Sequence, residues 1–165
     1  MNDDGQQAES LLHEAEKFRS KLLDFFSRMG VPRGDGEDFV QETFLRLWNY
    51  RDRYRPTAKL STFLFTLARQ VRIDAIRSRA QSEKREHIWS EERGEIQLPP
   101  NFGEREEVRQ AVQRLTEPLR EVVELGVFQD MPYAEIAEVL SVPVGTVKSR
   151  MFNALKKLKE IFNER

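Results

Sequence analysis

Apolar residues recur at helical spacing in two stretches of this chain, and the spacing lapses between them. Leu11, Ala15, Phe18, Leu22, Phe25 and Met29 fall at alternating steps of four and three, one stripe of an α-helix. Ser10 is expected to cap that helix and Gly30 to end it. The run from Val31 to Gly36 holds Pro32, Gly34 and Gly36 and reads as a loop. A second helix is expected over 37–50, with Val40, Phe44, Leu47 and Trp48 buried and Phe39 flanking. Its opposite stripe is Asp38, Gln41, Glu42, Leu45 and Asn49. After Pro56, Ser61 is placed as the cap of a third helix with Leu64, Leu67, Ala68, Val71 and Ala75 inward, ending near Arg79. Three amphipathic helices make one bundle.

Over residues 80–107 the periodicity is gone, and Pro99, Pro100 and Gly103 break the chain, so this stretch reads as a linker. Helical spacing resumes at Val108, Ala111, Val112 and Leu115 and continues at Leu119, Val122 and Val123, with Thr116 as a cap and Pro118 in a first turn. The fold class expected is all-α, in two small helical domains joined by a flexible linker.

Net charge is −1, which at first argues against a polyanion partner. Position by position the balance is different. Residues 1–45 carry ten acids and five bases, whereas 46–79 carry nine bases and two acids. Residues 83–107 hold eight acids and four bases, and 144–159 hold five bases and no acid. Two basic blocks separated by acidic ones point to two polyanion-facing surfaces, because a uniformly solvated chain intersperses its signs.

Other function classes find little support. There is no cysteine, and only His13 and His87 could offer imidazole, so neither a disulfide framework nor a metal site is expected. No glycine-rich phosphate loop or nucleophile–base arrangement is present, and no catalytic residue, cofactor or small-molecule substrate is expected. The start of the chain is polar and acidic, and no apolar run approaches the roughly 20 residues of a membrane span. The expectation is a cytoplasmic protein without membrane insertion.

The most informative stretch runs from Tyr133 to Arg150. Pro132 suits the start of a short helix that must stop between Leu140 and Pro143, after which a second helix begins. Val147, Met151, Ala154, Leu155 and Leu158 are expected to face inward, leaving Thr146, Lys148, Ser149, Phe152, Asn153, Lys156 and Lys157 outward. Short helix, tight turn and basic second helix make a helix-turn-helix, whose second helix can enter a major groove. The plainer alternative is an αα-hairpin with a solvated basic face. Small Ala137 before the turn and five bases without an acid after it weigh against that alternative.

Tyr133 to Arg150 resembles the helix-turn-helix of the extracytoplasmic-function (ECF) sigma factors, which are bacterial RNA polymerase subunits. Asp38 to Trp48 resembles the family's polymerase-binding helix, and Lys59 to Gln70 its promoter-melting segment. Both matches occur in the family's order. The resemblance implies a region-two domain over residues 1–80, a linker over 81–107 and a region-four domain over 108–165. It implies core RNA polymerase, promoter DNA and an anti-sigma factor as partners.

The resemblance also assigns residues. Asp38, Gln41, Glu42 and Leu45 match the face that docks on the clamp helices of core polymerase. Arg53, Tyr54, Arg55, Lys59 and Phe63 match the reader of the opened −10 element, where cations follow the backbone and aromatics stack bases. Arg69, Arg72 and Arg77 fall off the core stripe and are expected to track phosphates upstream. Thr66 and Leu67 stand where housekeeping sigma factors have a tryptophan pair, which implies weaker melting. Lys148, Ser149, Phe152 and Asn153 match the −35 readers, with Thr146, Arg150, Lys156 and Lys157 on phosphates. Many relatives have arginine where this chain has Asn153, and often glycine where it has Ser141, so the −35 preference does not transfer and the turn differs slightly. Ile88, Trp89, Ile96, Leu98 and Phe102 would be the docking residues of the linker. The alternative is an ordinary helix-turn-helix regulator with an N-terminal sensing or dimerising domain, which does not account for the basic block at 46–79.

Overall fold

A computed structural model describes residues 3–54, 59–85 and 103–164. Every regular element among them is helical. The chain divides into two units, one made of Met1–Phe26 and Val31–Ile96, the other of Ser27–Gly30 and Gln97–Arg165.

The first unit contains α1 (Asp3–Glu16), α2 (Arg19–Arg28, whose last two residues group with the other unit), α3 (Arg33–Asn49) and α4 (Leu60–Arg85). The single helix expected from Ser10 is therefore two helices, and Ser10 lies inside α1 rather than at its cap. The chain turns at Lys17 and Phe18, whose N–H groups donate to the carbonyls of Glu14 and Ala15, three residues back, at 3.3 and 2.9 Å. That tightening barely advances the phase, so the apolar stripe runs through the break: Ala15, Leu22, Phe25 and Met29 are all buried.

Gly30, at φ 86°, ends α2 as expected. The loop expected over 31–36 is shorter than read, because α3 begins at Arg33 behind Pro32. Gly34 and Gly36 fall in the first turn, where their cost to the helix is smallest, and Asp35 there favours the positive end of the helix dipole. Asp35 also accepts from Arg79 of α4 at 2.7 Å. Similarly α4 starts at Leu60 with Lys59 supplying the first carbonyl, to the Phe63 N–H, so Ser61 is inside the helix and not its cap.

Ala15, Leu47, Leu64 and Leu67 form a core, with Leu11, Leu12, Phe18, Phe44, Leu60 and Phe63 packed partly against it. Edge-to-face rings extend that packing: Phe25 on Phe65 at 5.5 Å and Phe26 on Phe39 at 5.4 Å. Ala68 and Val71 are buried as expected, while Ala75 is only half-buried. Trp48, expected in the core, is 37% exposed, whereas Thr43 is fully buried, its hydroxyl donating to the Phe39 carbonyl at 2.7 Å.

In the second unit α5 (Gly103–Gln113) and α6 (Glu117–Val123) precede a π-helical turn (Glu124–Phe128), followed by α7 (Tyr133–Leu140) and α8 (Val144–Asn163). Helix thus occupies 81–85 and 103–107, both inside the expected linker, while 86–102 lie outside the described residues. Ala111, Val112, Leu115, Val122 and Val123 are buried, but Val108 is exposed and Arg109 is buried beside it. Thr116 has the extended conformation of a cap, and Arg120 donates to the carbonyls of Gln113 and Leu115 at 2.9 and 3.1 Å, satisfying the end of α5.

The π-helical turn brings Gly126 against α7 and α8. A methyl group built there would stand 2.6 Å from Met151 Cε and 3.3 Å from Ile136 Cδ1, so only hydrogen fits without displacement. Pro132 and Pro143 each sit one residue before their helices, in extended backbone. Ser141 closes α7 in the left-handed region, at φ 55° and ψ 46°. The Val142 N–H then reaches the Ala137 carbonyl at 3.1 Å. Val147, Met151, Ala154 and Ile161 bury one face of α8. Leu155 does not join them as expected: it is 50% exposed, and Leu158 is half-buried.

Candidate functional site

Along α3, residues 38, 41, 42 and 45 share an arc of about 100° at 100° per residue. Asp38, Gln41, Glu42 and Leu45 are all exposed, Leu45 at 53%. Glu42 accepts from Arg46 at 3.2 Å, and Arg46 also donates to Asp74 of α4 at 2.8 Å. Burial works against the Arg46 charge, but the hydrogen bonds to Asp74 and Glu42 outweigh it and hold its pKa above the usual arginine value. Arg46 is thus engaged within the unit, tying α3 to α4.

Around the C-terminal end of α3 and the start of α4 four aromatic rings meet cations or each other. The Arg51 guanidinium lies 4.3 Å from the centre of the Trp48 ring, and Arg53 lies 5.8 Å from that of Tyr50. Tyr54 and Phe63 are 5.5 Å apart with their planes tilted by 35°. Arg53 and Lys59 are exposed and Tyr54 and Phe63 half-buried, an arrangement able to follow a phosphate backbone and offer ring faces to unstacked bases. Arg55 lies outside the described residues.

Further along α4, Arg77 is exposed and Arg69 half-buried. Arg72 corrects the expectation for this helix. It is only 7% exposed, because it lies on the same side of α4 as the buried Ala68, four residues earlier, and Phe65, seven residues earlier. Thr66 donates to the Thr62 carbonyl at 2.8 Å, and Leu67 is buried in the core, so neither offers a flat ring to melted DNA.

In the second unit α7, the αL residue Ser141 and α8 form the expected helix-turn-helix. Lys148, Ser149, Phe152, Asn153, Lys156 and Lys157 are exposed, Phe152 at 70%. Thr146 and Arg150 are half-buried, and the Thr146 carbonyl accepts from the Ser149 hydroxyl at 3.1 Å. At 1.5 Å per residue the outer set spans about 14 Å along the helix, enough to cover several base edges in a groove about 12 Å wide. Lys157 reaches Glu160 at 3.8 Å, with both side chains about half exposed, a contact that salt or a phosphate displaces readily.

Sequence reasoning missed the exposure of Trp48, Leu155 and Val144. For Trp48 a signal existed: it falls three residues after Leu45, on the edge of the outer stripe as well as of the inner one. Among the described residues no group of three or more His, Cys, Asp or Glu side chains could hold a metal ion. No helix among them is long and apolar enough to cross a membrane.

Comparison with known proteins gives two family matches: "Sigma-70 region 2" over residues 6–82 and "Sigma-70, region 4" over residues 105–158. The chain is 35% identical over 151 residues to the ECF RNA polymerase sigma-E factor of Salmonella typhimurium, covering 84% of this chain and 78% of that protein. Over 148 residues it is 29% identical to the ECF RNA polymerase sigma factor RpoE of Cereibacter sphaeroides, covering 88% and 82%. Among solved structures, its fold resembles the sigma factor RpoE in complex with the anti-sigma factor NepR from Bartonella quintana. That match has a TM-score of 0.76 and 22% identity, and covers 99% and 98% of the two chains. It also resembles CnrH in complex with the cytosolic domain of CnrY, with a TM-score of 0.72 and 21% identity over 98% and 95%.

Proposed function

The chain belongs to the ECF sigma factors, bacterial RNA polymerase subunits that act in transcription initiation, and from that premise we propose how its two units divide the work. Residues 1–80 dock on core RNA polymerase and read and open the −10 element. Residues 81–107 connect, and residues 108–165 read the −35 element. The observation that carries this reading is the exposure of two separate cation-bearing surfaces, one at the end of α3 and start of α4, the other on α8.

Docking falls to Asp38, Gln41, Glu42 and Leu45, which present an acidic and amide face around one apolar side chain. Capture of the displaced strand falls to Arg53, Tyr54, Arg55, Lys59 and Phe63, with Arg69 and Arg77 on the upstream backbone. Duplex DNA at −35 binds along α8. Ser149, Phe152, Asn153 and Lys148 meet base edges, and Thr146, Arg150, Lys156 and Lys157 meet phosphates, which position the helix without reading sequence. Asn153 carries an amide, whose bidentate geometry suits adenine.

The protein has no turnover of its own in this reading; the polymerase performs the chemistry, and the factor works with it in the cytoplasm. An anti-sigma factor is its expected inhibitor, since the similarly folded sigma factor RpoE of Bartonella quintana forms a complex with the anti-sigma factor NepR. Gel filtration of the full chain mixed with core polymerase tests the docking step. Co-elution supports the reading, and separate elution at micromolar concentrations contradicts it.

A further inference from the structure

Two exposed side chains on α8 suit groups that a single methyl adds to a base or hides on one. Val147, Met151, Ala154 and Ile161 fix the inner face of that helix. At about 100° per residue, Ser149 and Phe152 lie within about 40° of the direction opposite that face, and Asn153 lies about 65° from it. Phe152 is 70% exposed and Asn153 is exposed beside it. Arg150 falls about 125° from the same direction and is half-buried. The outer ridge thus carries an aromatic ring and a carboxamide, and the arginine belongs to its flank.

In the major groove a carboxamide pairs with adenine through two bonds, accepting from N6–H and donating to N7, while an aromatic ring packs on the C5-methyl of thymine. Both contacts depend on methyl groups. One N6 hydrogen of a paired adenine is taken by thymine, and the other points into the groove beside N7. A methyl on N6 has to occupy that second place. It removes the hydrogen that the Asn153 oxygen would accept and covers the N7 that the Asn153 nitrogen would reach. The pyrimidine contact works in the opposite sense. Its C5-methyl is the group on which Phe152 packs, and thymine and 5-methylcytosine carry it alike. Arginine in place of Asn153 would meet guanine O6 and N7 instead, where an N6 mark does not occur.

We propose that promoter recognition by this chain responds to base methylation in the −35 element. An N6-methyl on the adenine met by Asn153 weakens binding, and a C5-methyl on the pyrimidine met by Phe152 strengthens it, whether that base is thymine or 5-methylcytosine. This rests on the reading of α8 as the −35 reader and adds a means of regulating it: the same promoter is a better or a worse site according to the marks it carries. The lysines on α8 are indifferent to these marks, because phosphates are unchanged by them.

The test titrates −35 duplexes of the preferred sequence, taken from a randomised library, with the full chain bound to core polymerase. Each adenine in turn is replaced by N6-methyladenine, each thymine by uracil and each cytosine by 5-methylcytosine. At one adenine the methyl should weaken binding by about tenfold or more, and for Asn153→Ala by less than about twofold. At one pyrimidine, loss of the C5-methyl should weaken binding about fourfold, the equivalent of about 0.8 kcal/mol for one buried carbon. That difference should vanish in Phe152→Ala. Both side chains are exposed, so the variants keep the fold. Methyl effects that persist in the alanine variants overturn the proposal, since the marks would then act through the shape of the duplex. Methylation without effect at every position, with both variants weakened on unmodified DNA, overturns the proposal and leaves α8 as the −35 reader. Variants that bind unmodified DNA as tightly as the parent overturn the reading of α8 as well.

Discussion

Ser141 holds the corner of the helix-turn-helix in the left-handed region, at φ 55° and ψ 46°, with its side chain exposed. For an L-residue that conformation costs roughly 1–2 kcal/mol. Glycine removes the cost but has about 0.5–1 kcal/mol more backbone entropy to lose on folding. The difference predicts a net gain of about 0.5–1 kcal/mol for Ser141→Gly. In a domain of 60–100 residues each kcal/mol moves Tm by about 4–8 °C, so the unit containing the turn should melt about 2–8 °C higher. Ser141→Val places a branched Cβ at the same backbone angles and should lower Tm. The hydrogen bond from the Val142 N–H to the Ala137 carbonyl does not involve the Ser141 side chain, so the angle between α7 and α8 should be kept. Calorimetry on the full chain reads the first effect, and titration of a −35 duplex with the polymerase-bound factor reads the second. An unchanged or lower Tm for Ser141→Gly would refute the strain argument. A higher Tm with altered −35 preference would refute the claim that the turn only spaces the helices.

The double substitution Gln41→Ala with Glu42→Lys removes one exposed ion pair to Arg46, which keeps Asp74. Tm should hold to within what about 0.5–1 kcal/mol can move, while affinity for core polymerase falls at least about tenfold in a competition assay. Asn153→Arg should change the −35 sequence recovered from a randomised promoter library, since a base contact is worth about 1–3 kcal/mol per position. An unchanged preference removes Asn153 from the readout. Lys156→Ala with Lys157→Ala should lower affinity for all −35 sequences alike and reduce the slope of log affinity against log salt by about 2 in a titration series. Gly126→Leu should destabilise the second unit by about 1–3 kcal/mol or more, because Met151 Cε and Ile136 Cδ1 already fill the space. A thermal melt within 1 °C of the parent would show that those side chains move aside freely.

The apolar spacing made the helices legible because burial sets it: Ala15, Leu22 and Phe25 stay in phase across the turn at Lys17 and Phe18. The same continuity hid the turn, since two amides bonding three residues back leave no trace in side-chain periodicity. The glycines at 34 and 36 were misleading for a related reason. A first helical turn needs few internal bonds, so residues unsuited to a helix interior are tolerated there. Trp48, Arg72, Val108 and Leu155 show where spacing fails as a guide to burial. Trp48, Arg72 and Leu155 lie at the borders of their stripes, where packing against a neighbouring helix decides burial, whereas Val108 lies within its stripe, between Leu115 and Val112, and is exposed nonetheless. The candidate DNA-facing residues of α8 were legible because Val147, Met151 and Ala154 fix its inner face and charge marks the outer one. Around Tyr54 and Phe63 the ring pairing was invisible, since it joins a turn to a helix nine residues away.

Run-off transcription compares core polymerase alone with core polymerase plus this chain, on a pool of promoter fragments carrying varied −10 and −35 sequences. The factor should produce transcripts with defined 5′ ends from a subset of templates that share sequence at both positions. Substitution at Arg53 or Lys59 should reduce those transcripts without moving the shared −35 sequence. If the chain binds core polymerase yet leaves its template choice unchanged, or binds promoter duplex tightly on its own and only modulates transcription begun by another factor, the assignment of promoter recognition to these two units is wrong.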